Sequence, residues 1–313
     1  MVTSNFVNRR GFLAAAMGAG ASAVAATGKM EFCLFSKHLH FLPWREMAEA
    51  AKEIGFEGVD LTVRKGGHVT PERVADDLPR AAEAIRGAGM KLTMITTDIA
   101  DMTTAHTGPV LRAAAKLGVT HYRWDGYKYK DGVSLPEQLK AFAPRVKDLA
   151  AFNKDIGMCA MYHTHSGAGR VGASQWDLWM LLKDLDKKYV SYNFDIAHAT
   201  IEGGLGGWLH STKLAMPHMG GIALKDFKWG RGGNGKWGVD WCPIGEGMVR
   251  TREFLKMARA GGFAGPAQVH YEYDLGGADK GLTKFTMPKA LVLAAMKRDL
   301  DLLRGLSVEA GWV

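Results

Sequence analysis

Chemistry in this chain is concentrated where apolar runs end. Val190-Ser-Tyr-Asn-Phe-Asp-Ile-Ala-His198 starts as a buried strand, with Val190, Tyr192 and Phe194 suited to a pleated interior. It then delivers a carboxylate, Asp195, and an imidazole, His198. Tyr162-His163-Thr164-His165 and His270-Tyr271-Glu272 end the same way. His163 and His165 are two residues apart, so an extended backbone points both in one direction. Carboxylates prefer solvated helix faces, so Asp195 and Glu272 at strand exits point to a site. Carboxylate and imidazole donors suit one divalent ion of the Mn²⁺, Mg²⁺, Zn²⁺ or Fe²⁺ kind better than a thiolate metal. The expected ligands are Asp195, Glu272, His163, His165 and His198. The competing account of the histidines is a pair of hydrogen-bonded rim residues.

The elements that must position these residues alternate strand and helix along the chain. Strands are expected over 31–36, 59–62, 91–96, 120–124, 158–162, 190–195, 221–224 and 267–273. The helices between and after them are expected over 44–54, 71–87, 109–117, 136–156, 175–186, 207–216, 251–260 and 288–303. Eight such units in about 290 residues are the size of a closed (β/α)8 TIM barrel, whose strand C-termini carry the chemistry. A doubly wound open sheet would need a Gly-rich loop after the first strand, where Ser36-Lys37-His38-Leu39-His40 stands instead. One connection, 226–250, is long for this scheme and sets Trp229, Trp237 and Trp241 among glycines. Indole rings there suit a cover over a sugar, or packing of the loop on the barrel rim; both readings stay open.

The first residues read differently from the rest. Asn8-Arg9-Arg10-Gly11-Phe12-Leu13 is a twin-arginine pattern followed by small apolar residues, and Ala23-Val24-Ala25 resembles a cleavage site. The expected organisation is therefore a signal segment over 1–25 and one barrel domain over 26–313, with an exported or periplasmic product. Loss of Arg9 and Arg10 leaves 38 basic against 32 acidic residues, taking the net charge from +8 to +6. Those basic residues are dispersed, which gives no nucleic-acid patch. No further stretch is long enough to span a bilayer, so no membrane partner is expected of the mature chain. Cys33, Cys159 and Cys242 form no CxxC pair, and the first two read as small hydrophobes in strands. The apolar run Leu291 to Met296 suits packing on the barrel or between subunits of a homo-oligomer.

Several motifs, taken in order, carry a resemblance: Phe35-Ser-Lys-His38, Gly58-Val-Asp-Leu-Thr-Val-Arg64, Phe194-Asp-Ile-Ala-His198, Leu224-Lys-Asp226, Pro243-Ile-Gly-Glu-Gly247 and Tyr271-Glu272. Over the whole mature length the chain resembles the xylose isomerase-like TIM-barrel superfamily, the sugar phosphate isomerase/epimerase group. That resemblance implies one divalent ion on a glutamate after strand five, an aspartate after strand six, a histidine on strand seven and a glutamate on strand eight. Asp195 and Glu272 match two of these positions. His163 and Ala223 stand at the other two and depart from the pattern, while His165 and His198 are available to restore the count.

The implied activity is isomerisation or epimerisation of a sugar or keto sugar through an enediolate. A metal would stabilise the enediolate by polarising its oxygens. Glu272, His163, His165 and Lys225 are the groups to move the proton, imidazole being matched to neutral pH. Lys225, beside Asp226, serves equally as an ion pair or an oxyanion donor. His38, Asp60, Arg64, His68, Asp98, Arg123 and Trp124 lie near other strand exits and, with Trp229, are the expected substrate contacts. Relatives that eliminate from 3-keto-glycosides or hydrate the resulting glycal supply an alternative reaction. Apurinic endonucleases of the same superfamily need more zinc ligands than this chain places. A third reading, a silent sugar-binding barrel, draws on Ala223.

Overall fold

The computed structural model describes residues 28–233, 235–284 and 286–313; the twin-arginine pattern and the expected cleavage site lie outside them. The chain runs β1 (Phe32–Phe35), α1 (Trp44–Ile54), β2 (Gly58–Thr62), α2 (Val74–Gly87), β3 (Lys91–Thr96), α3 (Thr107–Lys116), β4 (His121–Trp124) and α4 (Leu135–Ile156). It continues through β5 (Cys159–His163), α5 (Trp176–Leu182), β6 (Val190–Asp195), α6 (Ile196–Ala215) and β7 (Met219–Leu224). A hairpin of β8 (Asp226–Arg231) and β9 (Trp237–Cys242) follows, then α7 (Thr251–Ala260), β10 (Ala267–Val269) and α8 (Lys289–Glu309). The parallel strands close in the order β1-β10-β7-β6-β5-β4-β3-β2, so the chain is a (β/α)8 TIM barrel. Among the described residues no helix is long and apolar enough to cross a membrane.

Local chemistry explains most boundaries. In α1 the apolar residues Met47, Ala50, Ala51 and Ile54 share the buried face, and Gly55 ends the helix in the left-handed region at φ 111°. The outward-facing strand residues, such as Tyr162, Tyr192, Phe194 and Val269, join the helices in one fully buried apolar shell. Full burial of each large apolar side chain contributes about 1.5–3 kcal/mol.

Inside the barrel, strand periodicity stacks the inward residues in layers. Met94, Cys159 and Met161 form a separate buried cluster there. Asn193 Nδ2 donates to Gln268 Oε1 at 3.1 Å at the same level. One pleat step higher, Met161, Asn193 and Gln268 become His163, Asp195 and His270. Cys33, Cys159 and Cys242 are all buried and free.

Three connections differ from the sequence expectation. The helix after β6 begins at Ile196 instead of near 207, because Asp195 Oδ1 accepts the backbone N–H groups of Ala197 and His198 at 3.0 Å each and caps it. Gly203-Gly204, expected to precede the helix, lies within it, and Gly204 breaks its geometry at φ 54° and ψ −141°. The last barrel strand stops at Val269 instead of Tyr273, because the Tyr271 N–H donates to His38 Nε2 at 3.1 Å and leaves the ladder. The 226–250 connection has structure of its own, the β8–β9 hairpin, with Phe227 opposite Trp241 and Trp229 opposite Val239.

Candidate active site

Asp195 sits fully buried at the end of β6, with its backbone N–H donated to Thr164 Oγ1 at 2.9 Å. While Oδ1 caps α6, Oδ2 points into the barrel mouth and has no hydrogen-bond partner. His163 ends β5, with Nε2 at 3.8 Å from Asp195 Oδ2. His270 follows β10, its ring stacked on Phe35 at 4.7 Å and its Nε2 at 3.3 Å from Gln268 Oε1. One ligand atom from each of His163, Asp195 and His270 lies within 4.8 Å of the other two, and all three residues are buried. His163 Nδ1 is likewise buried without a partner. Two imidazoles and a carboxylate with unsatisfied polar atoms are a donor set that fits one divalent ion.

Lys225 complicates and sharpens this centre. Its Nζ stands 3.1 Å from Asp195 Oδ2, a buried ion pair and the closest charged group to this oxygen among the described residues' salt bridges. The same ammonium is 2.7 Å from His198 Nε2, 4.7 Å from the Trp241 ring centroid and 3.9 Å from Glu272 Oε1. His198 Nδ1 is 2.7 Å from Ser166 Oγ, so both its ring nitrogens are engaged and it supports Lys225 from outside the trio. His165 stacks on His198 at 3.8 Å, with Nδ1 bonded to the Ser166 carbonyl at 2.8 Å. Burial drives the protonation of His163, His198 and His270 well below the usual imidazole range, and nearby Lys225 and Arg123 push the same way. These rings are therefore neutral at pH 7, the state a metal ligand requires.

Glu272, expected as a ligand, stands apart from the trio: it is partly exposed, 3.6 Å from Lys37 Nζ, two residues beyond His270. The strand-end stretch His270-Tyr271-Glu272 is legible in the sequence, where Glu272 stands out as a carboxylate at a strand exit and also matches the resemblance. Steps of two from Gln268 reach both His270 and Glu272, so spacing leaves the two open, and the end of the strand at Val269 brings His270 to the trio. Arg123, Arg64 and Lys37 each lie over the Phe35 ring at 5.6–5.7 Å, forming a cationic wall beside the trio. Asp60 is buried against this wall; burial raises its pKa to about 6, while the Thr96 hydroxyl, Arg123 and Arg64 hold it down. A small cleft lined by Arg123, Tyr127, Tyr162, His163, His165 and Arg170 opens next to it.

Other expected contacts have different work. Trp124 is fully buried and donates its indole N–H to the Ala100 carbonyl at 2.7 Å, so it is a wall residue beyond reach of a sugar. His38 is also buried and pins the chain after β10 through Tyr271 N–H and, at 3.4 Å, the Ala278 carbonyl. His68 lies among Ser36 Oγ, Thr62 Oγ1 and the Leu42 carbonyl at 3.2–3.3 Å, under the rim. Asp98 is exposed and accepts the Lys65 N–H at 3.1 Å. Trp229 is 43% exposed on the hairpin. Asp226 joins the base of that hairpin to the segment after it: its carboxylate accepts backbone N–H groups of Phe227, Gly245, Gly247 and Val249 at 2.8–3.2 Å. A Cβ at Gly247 would collide with Asp226 Oδ1 and the Phe227 carbonyl, which explains the glycine.

The buried histidines also make stability depend on pH. Burial lowers His40 to about 4 and His68 to about 3. The unfolded chain therefore binds more protons than the folded one between pH 6.5 and those values, and stability is lost as pH falls through that window. Asp60 acts oppositely, its contribution being present below about pH 4 and lost as pH rises through about 6. The histidines outweigh it. The thermal midpoint is expected to drop steadily from pH 6.5 to 4.5 by circular dichroism, with a shallower slope in His68→Gln. A flat profile would contradict the neutral buried rings.

Comparison with known proteins places this fold among relatives of low identity. The profile described as xylose isomerase-like TIM barrel matches residues 48–287. No curated protein sequence matches the chain. Among solved structures, a xylose isomerase-like TIM barrel protein from Mycobacterium smegmatis in complex with magnesium is similar at 14% identity and TM-score 0.61, covering 87% of this chain and 98% of that one. The 3-keto-D-glucoside 4-epimerase of E. coli is similar at 13% identity and TM-score 0.61, covering 90% and 99%. An L-ribulose 3-epimerase is similar at 12% identity and TM-score 0.64, covering 90% and 96%.

Proposed function

The chain belongs to the xylose isomerase-like TIM barrel family, and on that premise we propose that it is a carbohydrate enzyme that moves a proton beside a carbonyl. The reaction is isomerisation or epimerisation of a sugar or keto sugar through an enediolate. The observation that carries this reading is the buried group of His163, Asp195 and His270 at the strand C-termini, with Lys225 ion-paired to its carboxylate. Two similar structures bear the names of epimerases, one of a keto-glucoside and one of a ketose, which supports the substrate class.

His163, Asp195 and His270 are the residues to hold a divalent ion, while Lys225 and His198 fix the orientation of the carboxylate. A bound ion supplies Lewis acidity that polarises a carbonyl and the neighbouring hydroxyl oxygen. Glu272 is partly exposed at the mouth and is the carboxylate free of the trio, so it takes the proton next to the carbonyl. Lys225 presents a fixed positive charge to the oxygen on which negative charge develops. The cationic wall of Arg64, Arg123 and Lys37 faces the same mouth and suits the substrate's hydroxyl and carbonyl oxygens.

A second reading rests on one specific departure. His163 and Ala223 replace the glutamate and histidine that the family resemblance implies, which removes one of two carboxylate bases. A single base opposed by an ammonium also suits elimination from a 3-keto-glycoside, with Glu272 as base and Lys225 as acid.

The test is proton exchange. Protein equilibrated with Mn²⁺, Mg²⁺ or Zn²⁺ is incubated in D₂O with ketoses and 3-keto-glucosides, and the sugar is read by ¹H NMR. Deuterium at the carbon beside the carbonyl is the expected result, with epimer or unsaturated product separating the two reactions. Binding without exchange on any keto sugar would leave a non-catalytic sugar-binding barrel and overturn the enzyme reading.

A further inference from the structure

The β8–β9 hairpin carries a feature that the proton-transfer chemistry does not use. Its register pairs Phe227 with Trp241, Trp229 with Val239 and Arg231 with Trp237. Directly paired residues share a face in an antiparallel ladder, and successive pairs of this parity stay on that face. One face is therefore Phe227-Trp229-Arg231 against Trp241-Val239-Trp237. The other carries Asp226, Lys228 and Asp240, with Lys228 Nζ 3.9 Å from Asp240 Oδ2.

The aromatic face is graded. Trp241 lies in the site, edge-on to His198 at 5.6 Å and beneath Lys225 Nζ at 4.7 Å. Trp229, packed against Phe227 at 5.7 Å, is 43% exposed. Trp237, with the Arg231 guanidinium over its ring at 5.2 Å, is 65% exposed. Four residue steps of antiparallel strand lead from Trp241 to Trp237, a run of about 14 Å. The stripe starts at the candidate active site and leads outward. The outer two indoles keep much of their surface open to solvent, and Asp226 already joins the base of the hairpin to the 245–249 segment, so the exposed rings are not needed to close the loop.

We propose that this stripe is a stacking track for the part of the substrate beyond the reacting ring, so that the substrate class is a glycoside or short oligosaccharide instead of a free monosaccharide. The proposal rests on the carbohydrate reading of the site above. Sugar rings present apolar C–H faces to indoles and hydroxyls at their edges. Trp229 and Trp237 supply the flat apolar surface, and the Arg231 guanidinium supplies donors beside it. Continuity with Trp241 places one end of such a ligand at Lys225 and the remote rings along the hairpin.

The test is calorimetric binding of cellobiose, maltose and p-nitrophenyl β-glucoside against glucose, using the full chain, Trp237→Ala and Trp229→Ala. The expected result is tighter binding of the glycosides than of glucose, with each variant losing about tenfold for glycosides and nothing for glucose, as expected when one aromatic contact is removed. Equal binding of glucose and glycosides, unchanged in the variants, overturns the track and leaves the carbohydrate site standing. No binding of any of these sugars, nor of a ketose or a 3-keto-glucoside, to the folded wild type overturns both. Sedimentation of the same proteins covers the remaining occupant: a wild-type dimer that Trp237→Ala makes monomeric would assign the stripe to contact between copies and overturn the track.

Discussion

Asp195→Asn is expected to abolish metal retention and to lower turnover by about 1,000-fold or more. Lewis-acid stabilisation of transition-state charge is worth several kcal/mol, and each 1.36 kcal/mol is tenfold in rate. The substitution is chosen because asparagine is as good a helix N-cap as aspartate, so the cap on Ala197 and His198 survives while the charge is lost. The variant should still be less stable, by about 3 kcal/mol, because the Lys225 ammonium keeps only 3% side-chain exposure and loses its buried carboxylate partner. Adding Lys225→Met removes the stranded charge. The double variant should therefore recover much of the thermal midpoint without recovering metal or turnover. Elemental analysis and differential scanning calorimetry on the three proteins check this, and full metal content in Asp195→Asn would displace the ion from the trio.

Glu272→Gln should separate the proton carrier from the metal ligands. Glu272 lies outside the group formed by His163, Asp195 and His270, so metal content is expected to stay at the wild-type level. Loss of a positioned general base slows proton transfer about 100- to 10,000-fold. The readout is deuterium wash-in on a keto sugar, measured beside metal stoichiometry. His270→Ala should do the reverse and lose the ion first. If Glu272→Gln loses metal and His270→Ala keeps it, the strand-eight ligand is the glutamate that the family resemblance implies, and the assignment to His270 fails.

The alternation of elements was readable because each carries its own periodicity. Apolar runs bounded by glycine and proline marked the strands, and the 44–54 stripe with Gly55 after it marked a helix to the residue. Asp195 was legible as a site residue for a similar reason: a carboxylate closing the all-buried strand Val190-Ser-Tyr-Asn-Phe needs a partner or a task. Trp124 was misjudged as a substrate contact because position at a strand exit says nothing of which way the ring turns. Its indole N–H is satisfied by Ala100, a residue from another connection. The 226–250 stretch reads as one long loop because its strands show no sustained apolar alternation and pair only with each other.

By itself the sequence determined the barrel, the end of the barrel at which titratable groups collect, and the donor types available there. These follow from short-range periodicity, which any stretch of chain carries within itself. Tertiary structure decided which donors meet. His270 joins the trio and Glu272 does not because β10 stops where the buried His38 ring takes the Tyr271 N–H, an interaction across more than two hundred residues of chain. The tryptophans form one stripe because the hairpin register puts Trp229, Trp237 and Trp241 on a common face. Strand length and register are set by which backbone groups find partners across the fold, so residue type and spacing cannot report them.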